Sequence, residues 1–255
     1  MKTVLKRRSS QNNFPPNYYI YQKIKDMTLL EAIQARHSVR RYLPKPISED
    51  ILDVLRARIA EANEEGHLHI QLVTGEQKAF SGLMSYGSFS GVENYLVMAG
   101  EKADDLDERV GYYGESLVLL AQTLGLNTCW AGLSYTKIAG TYSLEKGEKI
   151  ACYIALGYGQ THGAQHKSKP IGEISNAGDG TPEWFLKGVQ AAQLTPTAVN
   201  QQKFFIEYLG DNGTGLPKVG IRKGVSVFGY TKMDMGIAKL HFEIGAGKDN
   251  FEWAE

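Results

Sequence analysis

The sequence predicts a fold of mixed helices and strands, arranged along the chain as two related halves. Segments with helical spacing of apolar residues alternate with short strand-like segments from residue 28 onward. A faint internal repeat also occurs, because a predicted helix over 49–64, a strand over 68–74 and Gly75 recur as a helix over 182–193, a strand over 204–209 and Gly210. Two copies of one plan indicate a chain that imitates a symmetric dimer.

The composition is that of an ordinary globular protein. The 255 residues are 42% hydrophobic and 22% charged, with 28 basic and 28 acidic side chains. Zero formal net charge argues against a nucleic-acid partner or an anionic membrane surface, which favour a basic excess. No segment approaches the roughly 20 apolar residues of a membrane span, and no apolar run typical of a signal peptide is apparent. Two cysteines, Cys129 and Cys152, fit a reducing compartment, so we expect a cytoplasmic protein.

The first predicted half covers residues 28–170 and follows an N-terminal extension, residues 1–27. Thr28 and Glu31 have the spacing of a capping box, so a helix should begin here. It should end near Arg36, because the two prolines of YLPKPIS (42–48) are incompatible with a helix. The remaining elements predicted for this half are a helix over 49–64 with Ser48 as its N-cap, strands over 67–75 and 92–100, a helix over 104–124, an apolar loop over 125–134, and a strand over 149–160 that is apolar on both faces and therefore central in its sheet.

The second predicted half is shorter and covers residues 171–255. Thr181 and Pro182 open its first helix, with Thr181 as the N-cap and Pro182 at the first helical position. A strand over 204–209 and a final helix over 235–245 follow. This half therefore repeats part of the order of elements in the first half.

Several common catalytic and binding motifs are absent. GYGQTHG (157–163) lacks the spacing and the following helix of a phosphate-binding loop, and no GxSxG nucleophile motif occurs. Two histidine pairs, His67 with His69 and His162 with His166, have metal-ligand spacings but no Cys, Asp or Glu companion at a persuasive distance. We therefore predict no metal site.

Two polar segments contain more charged and hydrogen-bonding side chains than their local structure requires. ARHSVRRY (35–42) has more cations than a helix C-terminus needs, and arginine with a neighbouring serine suits a phosphate. LTPTAVNQQK (194–203) precedes a strand, where Pro, Thr and Asn are typical turn residues. Asn200 also offers both amide donors and an acceptor, which suits the edge of a heterocycle. A phosphate at one end and a polar ring at the other describe a nucleotide-like ligand.

Four segments, in this order, resemble the FMN-dependent nitroreductase family over most of the chain from about residue 28. Arg36-His37-Ser38-Val39-Arg40 is similar to the Arg-[Arg/His]-Ser-x-Arg stretch that ends the first helix of the family. Residues 111–133 resemble its long helix and flavin-edge loop, and residues 154–158 with 167–170 resemble its last strand and basic phosphate-side tail. Residues 196–201 (PTAVNQ) resemble its Pro-Ser-x-x-Asn element, although Gln202-Lys203 stand where the family has Pro-Trp.

The resemblance implies an α+β fold with a mainly antiparallel sheet flanked by helices, and one site for FMN. On this basis Arg36, Ser38 and Arg40 would bind the ribityl phosphate and pyrimidine side of FMN, and His37 would contribute through its backbone or ring edge. The other contacts implied by the resemblance are Lys167 and Lys169 near the phosphate, the backbone of Ala131 and Gly132 at the reactive N5 edge, and Pro196, Thr197, Ala198 and Asn200 over the flavin from the second half.

The arginine and asparagine elements are unusually far apart for this family. In ordinary members they lie within a few tens of residues, and each flavin is bound between two subunits. Here the first half has EANEEGHLHIQLV (61–73) where the asparagine element belongs, and the second half has no Arg-His-Ser segment. The split is similar to the branch of the family in which one chain contains both halves. We therefore expect a monomer that acts as a pseudo-dimer, with further self-association left open.

The activity implied by the resemblance is alternating hydride transfer. NADH or NADPH would reduce FMN and leave, and a nitroaromatic, quinone or similar small acceptor would then take the electrons. No catalytic side chain is expected, because the flavin N5 carries the chemistry. Two alternatives stay open: another flavin chemistry at the same site, such as flavin cleavage or dehalogenation, and a flavin-binding or sensing protein with little turnover.

Overall fold

A four-stranded antiparallel sheet lies at the centre of the first part of the chain. The computed structural model describes residues 27–82, 88–210, 215–226 and 229–254, so the predicted N-terminal extension, apart from Met27, lies outside the described residues. The helices are α1 (Leu29–Ala35), α2 (Glu49–Gly66), α3 (Leu106–Thr123), α4 (Ile171–Ile174), α5 (Glu183–Ala192) and α6 (Thr231–Ala246). The strands are β1 (Gln71–Val73), β2 (Asn94–Glu101), β3 (Asn127–Ala131), β4 (Glu148–Gly157), β5 (Phe204–Gly210), β6 (Lys218–Lys223) and β7 (Glu252–Trp253).

The first sheet has the strand order β1-β2-β4-β3, and every neighbouring pair is antiparallel. Leu96 of β2 is opposite Ile154 of β4, and both pack on the side of the sheet covered by α2 and α3. Tyr95 and Tyr153 point to the other face, where their rings stack 5.0 Å apart. Because successive residues of a strand point to opposite faces, this sheet is buried on both sides. The prediction of a central strand near 149–160 is confirmed in β4.

The second sheet has the order β5-β6-β7, with β5 and β6 antiparallel and β6 and β7 parallel. Its apolar face packs against α5 and α6 through Ile206, Phe185 and Phe242. Helices thus flank two mainly antiparallel sheets, and the predicted α+β class is confirmed. No helix among the described residues has both the length and the apolar character needed to cross a membrane.

The local signals at the start of the first half are also confirmed. The Thr28 hydroxyl accepts the Glu31 N–H at 3.2 Å, and the Glu31 carboxylate accepts the Thr28 N–H at 2.7 Å. The helix opened by this capping box ends at Ala35, with Arg36 as its extended C-cap. Helix α2 follows the predicted segment and runs to Gly66, where His67 takes a left-handed conformation with φ of 46°.

Four expectations for individual elements were wrong. Residues 127–131, predicted within a loop, form β3; the neighbouring residues Thr128 and Cys129 point to opposite faces and are both buried, so the sequence shows no alternation of polar and apolar residues. Only 71–73 of the predicted strand 67–75 pairs with a neighbour. Pro182 is the extended N-cap of α5 and not its first helical residue, since the Thr181 hydroxyl donates back to the Gly178 carbonyl at 2.7 Å. The final helix begins at Thr231, not at 235, and the short strands β6 and β7 were not predicted.

The two long helices α3 and α6 cross at a pair of glycines. A Cβ on Gly236 of α6 would lie 2.0 Å from the Glu108 carbonyl oxygen, and a Cβ on Gly111 of α3 would lie 2.1 Å from the Met233 carbonyl oxygen. Such distances are far inside van der Waals contact, so only glycine permits this backbone approach. The contact is reciprocal, because each glycine touches the carbonyl three residues before the other glycine.

Replacing Gly236 with alanine should lower the free energy of unfolding by about 2 kcal/mol, because the cost of overpacking exceeds the better helix propensity of alanine. Gly172→Ala is the matched control: Gly172 is helical, and a Cβ there would meet no atom within 4 Å. Urea denaturation of both variants measures the difference. Equal stability of the two would show that the crossing tolerates a methyl group.

Candidate functional site

A cavity of about 520 Å³ lies where the arginine-rich segment meets the loop that follows α5. This volume is within the usual range of pockets for small molecules and cofactors. Seven of the twelve predicted site residues line it, although they come from segments that are distant in sequence: Ser38, Arg40, Ala131, Gly132, Pro196, Thr197 and Ala198. The fold therefore brings together the two motifs that the sequence separates.

The arginine-rich segment reaches the cavity because it runs in extended form beside β3. The Val39 N–H donates to the Thr128 carbonyl at 3.0 Å, next to a parallel bridge between Ser38 and Thr128. Val39 is fully buried in the core on one face of the sheet. Ser38 and Arg40, on either side of it, both line the cavity. This alternation is that of a strand, so the segment is not simply a cationic helix end.

The end of β3 forms another wall through Ala131 and Gly132. A Cβ on Gly132 would lie 2.7 Å from the ring of Tyr230, so a larger residue here would displace that ring. Tyr230 itself lines the cavity and precedes α6 with φ of 58°. Trp130 and Phe89 add further aromatic walls.

The loop of residues 196–202 covers the cavity in a strained backbone conformation. Val199, Asn200 and Gln202 have φ values of 47°, 55° and 47°. Positive φ is a genuine outlier for the β-branched Val199, which is 70% exposed at the cavity. Strain of this kind persists only where surrounding contacts impose it, and it is concentrated at functional sites.

Two buried polar side chains impose this loop conformation. Asp234 of α6 accepts the Ala198 N–H at 3.0 Å and the Gln201 side-chain amide at 2.7 Å. Gln202 donates to the Lys167 carbonyl at 2.8 Å and accepts the Lys169 N–H at 2.8 Å. Gln202 thereby joins the loop to the basic tail.

The other predicted contacts from these two segments lie beside the loop and do not line the large cavity. The Asn200 side chain donates to the Lys167 carbonyl at 3.0 Å and accepts from Gln202. The Lys169 ammonium donates to the Gln202 carbonyl at 3.1 Å. The Lys167 side chain is exposed. Asn200, Lys167 and Lys169 are therefore brought together, with the Asn200 amide on the backbone of Lys167 and the Lys169 ammonium on the loop backbone at Gln202.

Arg36 and His37 line a second, smaller cavity of about 190 Å³, together with Gln165 and His166. Arg36 is only 6% exposed, and its Nε lies 3.8 Å from the Glu115 carboxylate without a hydrogen bond. The His166 Nε2 is also buried without a hydrogen-bond partner. Burial, and then the Arg36 cation, lower the pKa of both His37 and His166. A buried guanidinium N–H without a hydrogen-bond partner, beside a ring nitrogen that also lacks one, provides a site that an anion would satisfy.

The sequence did not identify Asp234, Trp130 or Tyr230 as site residues. Asp234 is 3% exposed, and burial raises the pKa of its carboxyl to about 6, against the opposing effect of its hydrogen bonds. Its only sequence signal is an acidic residue in the first turn of a helix, which is an ordinary helix feature. Trp130 falls in the strand that was predicted as a loop.

Within the described ranges, no three His, Cys, Asp or Glu side chains are grouped as a metal site.

Comparisons with known proteins agree with this architecture. The family model described as "Putative TM nitroreductase" matches residues 28–246. A solved structure of a putative nitroreductase from Thermotoga maritima is 25% identical over 87% of this chain and 85% of that chain, with a TM-score of 0.57. A putative nitroreductase in complex with FMN from Desulfovibrio desulfuricans is 17% identical over 57% of this chain and 93% of that chain, with a TM-score of 0.46. No curated protein matches the chain significantly.

Proposed function

The chain belongs to the nitroreductase family whose model matches residues 28–246, and we propose that it is an FMN-dependent oxidoreductase. It would take hydride from NADH or NADPH and pass the electrons to a nitroaromatic, a quinone or a similar small acceptor. The observation that carries this proposal is the meeting of Ser38 and Arg40 with Pro196, Thr197 and Ala198 around one cavity.

The two cavities together fit the two ends of FMN. They flank one extended segment, with Arg36 and His37 lining the smaller cavity and Ser38 and Arg40 the larger. The unpaired donor Arg36 Nε suits a phosphate, which accepts several hydrogen bonds, and His166 Nε2 would add a second donor in the tautomer that carries its proton there. The larger cavity has room and aromatic walls for a flat ring. We assign Arg36 and His37, with Lys167 and Lys169 nearby, to the phosphate end.

The residues around the large cavity would hold the ring and exclude water. Arg40 provides a cation beside the pyrimidine side, where it would stabilise negative charge in the reduced state. The backbone of Ala131 and Gly132 would face the reactive edge of FMN, and the loop at Pro196, Thr197 and Ala198 would cover one face of its ring. FMN, when bound, supplies the hydride transfer at its N5 atom. The exposed apolar side chains of Leu133 and Val199 at the cavity suit an uncharged, flat acceptor.

We further propose that residues 28–170 and 171–255 stand for the two subunits of a dimer. The reciprocal contact of Gly111 and Gly236 supports this reading, because a two-fold axis makes each partner contact the other through equivalent residues. Gly75 and Gly210, the last members of the sequence repeat, both have positive φ, at 69° and 89°. Each half supplies one side of a single site, so a monomer would be sufficient for binding.

The purified full chain tests this function in one series of measurements. It should take up FMN and turn yellow, and it should oxidise NADH or NADPH only when a nitroaromatic or quinone is added. A yellow protein inert to both nicotinamides would favour a binding or sensing role, and one active only on other substrates would favour another flavin chemistry. A protein that cannot bind added FMN would refute the proposal.

The same FMN titration tests whether the site is shared between the halves. Arg40→Ala and Asn200→Ala should each weaken FMN binding, the first by removing a cation from the cavity and the second by releasing the covering loop. A loss in only one of the two variants would contradict a site built from both halves.

A further inference from the structure

A buried polar cluster lies behind the smaller cavity, called the phosphate-side cavity below, and two of its members, Glu115 and His241, have no role in the function proposed above. Glu115 of α3 and His241 of α6 are both 0% exposed, and Arg36 at the end of α1 is 6% exposed. The Glu115 Oε1 atom lies 3.0 Å from His241 Nε2 and 3.8 Å from Arg36 Nε. The other carboxylate oxygen, Oε2, accepts the indole N–H of Trp130 at 2.9 Å. The cluster therefore touches both cavities, through Arg36 and through Trp130.

The hydrogen bonds of this cluster determine how many protons it holds. His241 Nδ1 lies 3.3 Å from the Ala191 carbonyl oxygen, which can only accept, so Nδ1 carries a proton. His241 Nε2 faces a carboxylate oxygen, and a hydrogen bond there requires a second proton between the two groups. The Trp130 N–H and the Arg36 cation both favour the ionised carboxylate, so this second proton belongs on His241. Glu115 and His241 thus form an ion pair with no net charge.

This proton count leaves the positive charge of Arg36 uncompensated. An ionised Glu115 beside a neutral His241 would neutralise Arg36, and the small cavity would then attract an anion weakly. Because His241 already balances Glu115, the guanidinium keeps its full charge next to the cavity. An uncompensated buried cation is costly to the folded protein, and an anionic ligand would remove that cost.

We infer that His241 is a positioning residue for the cofactor. Its protonated ring neutralises Glu115, so the positive charge of Arg36 remains available to bind the phosphate. This inference rests on the proposed function, in which Arg36 binds the phosphate of FMN. His241 contacts no ligand itself and acts through Glu115. The two residues come from α6 and α3, 126 positions apart, so the pairing also requires both halves of the chain to be in place.

Binding titrations of FMN and riboflavin separate this role from a structural one, because riboflavin has the ring and ribityl chain but no phosphate. His241→Gln keeps an amide donor for Glu115 and removes the positive charge. It should weaken FMN binding about tenfold, as expected when a buried charge becomes compensated, and should leave riboflavin binding within about twofold. Glu115→Gln should not weaken FMN binding, since Arg36 then has no acidic neighbour in the cluster.

The double variant His241→Gln/Glu115→Gln tests whether His241 acts on FMN binding through Glu115. It should restore FMN affinity to within about threefold of the wild type, because removing the carboxylate frees Arg36 again. Glu243→Gln is the matched control: Glu243 is a buried carboxylate of α6 that also accepts a tryptophan N–H, from Trp253 at 2.8 Å, away from both cavities. This control should bind FMN and riboflavin like the wild type.

Two results would overturn the inference while leaving the proposed function intact: a double variant no better than His241→Gln, or equal losses of FMN and riboflavin in His241→Gln. If His241→Gln does not fold, nitrogen-15 NMR of the wild-type holoprotein gives the answer, since both ring nitrogens of His241 should be protonated and a neutral ring would refute the inference. A wild-type chain that binds neither flavin would refute the proposed function itself.

Discussion

Replacing Arg36 with methionine should weaken FMN binding about a hundredfold, or about 2.7 kcal/mol, because a buried cation beside the phosphate-side cavity is lost. The flavin-free protein should lose little stability, because methionine is of similar length and the Glu115–His241 pair balances its own charge. Residues that bind a ligand often contribute little to the stability of the ligand-free protein, or lower it. Riboflavin binding, measured by quenching of flavin fluorescence, should change less than threefold.

Arg41→Met is the matched control for this prediction. Arg41 belongs to the same cationic segment but is exposed, and it lines neither of the two cavities. Its replacement should leave both affinities close to those of the wild type. An Arg36→Met variant that binds FMN as tightly as Arg41→Met, or that loses riboflavin to the same extent, would place the phosphate elsewhere.

The pH dependence of stability should change by about 3 kcal/mol when Asp234 is replaced with asparagine. Burial raises the pKa of Asp234 from its ordinary value of 3.8 to about 6 in the folded protein. A raised pKa means that the folded state favours the protonated carboxyl. The stabilisation is therefore complete below the unfolded value and is lost as the pH rises through the folded value.

Urea denaturation of flavin-free protein at a series of pH values measures this effect. The wild type should lose stability relative to Asp234→Asn as the pH rises from about 4 to about 7, with most of the loss between the unfolded and the folded pKa. Asp179→Asn, at an exposed turn, controls for the chemical change. If the stability of the wild type relative to Asp234→Asn stays constant or rises with pH, burial does not govern this carboxyl.

The carboxyl that determines this pH profile also holds the loop over the large cavity. Asp234 accepts the Ala198 N–H and the Gln201 amide, and both hydrogen bonds are stronger to the ionised form. The energetic cost of ionisation at neutral pH is thus linked to the contacts that hold the strained backbone at Val199 and Asn200. Ionisation of Asp234 therefore lowers the stability of the folded protein at the position where its hydrogen bonds hold the loop over the large cavity.

Elements with local signals could be predicted from the sequence. The capping box of Thr28 and Glu31, helix α2 after Ser48 and the central strand β4 all depend on neighbouring residues and on the period of the apolar pattern. The strands β3, β6 and β7 could not, because they are short or lack alternation, and because β3 and β7 also depend on pairing with strands that are not adjacent to them in sequence. The Thr181 hydroxyl donates to the Gly178 carbonyl within a turn. Thr181 is therefore not the N-cap that the common Thr-Pro helix start predicts.

For the proposed site, the sequence by itself determined the two candidate segments, since Arg36 to Arg40 and Pro196 to Asn200 carry motifs that can be recognised residue by residue. Only the tertiary structure brought them to one cavity and separated Arg36 from Arg40 between two cavities. It alone also showed the burial and the hydrogen-bond partners of Asp234, Glu115 and His241. The physical reason is that burial and pairing across helices decide what an ionisable side chain does, and neither is encoded in the residues next to it in the chain.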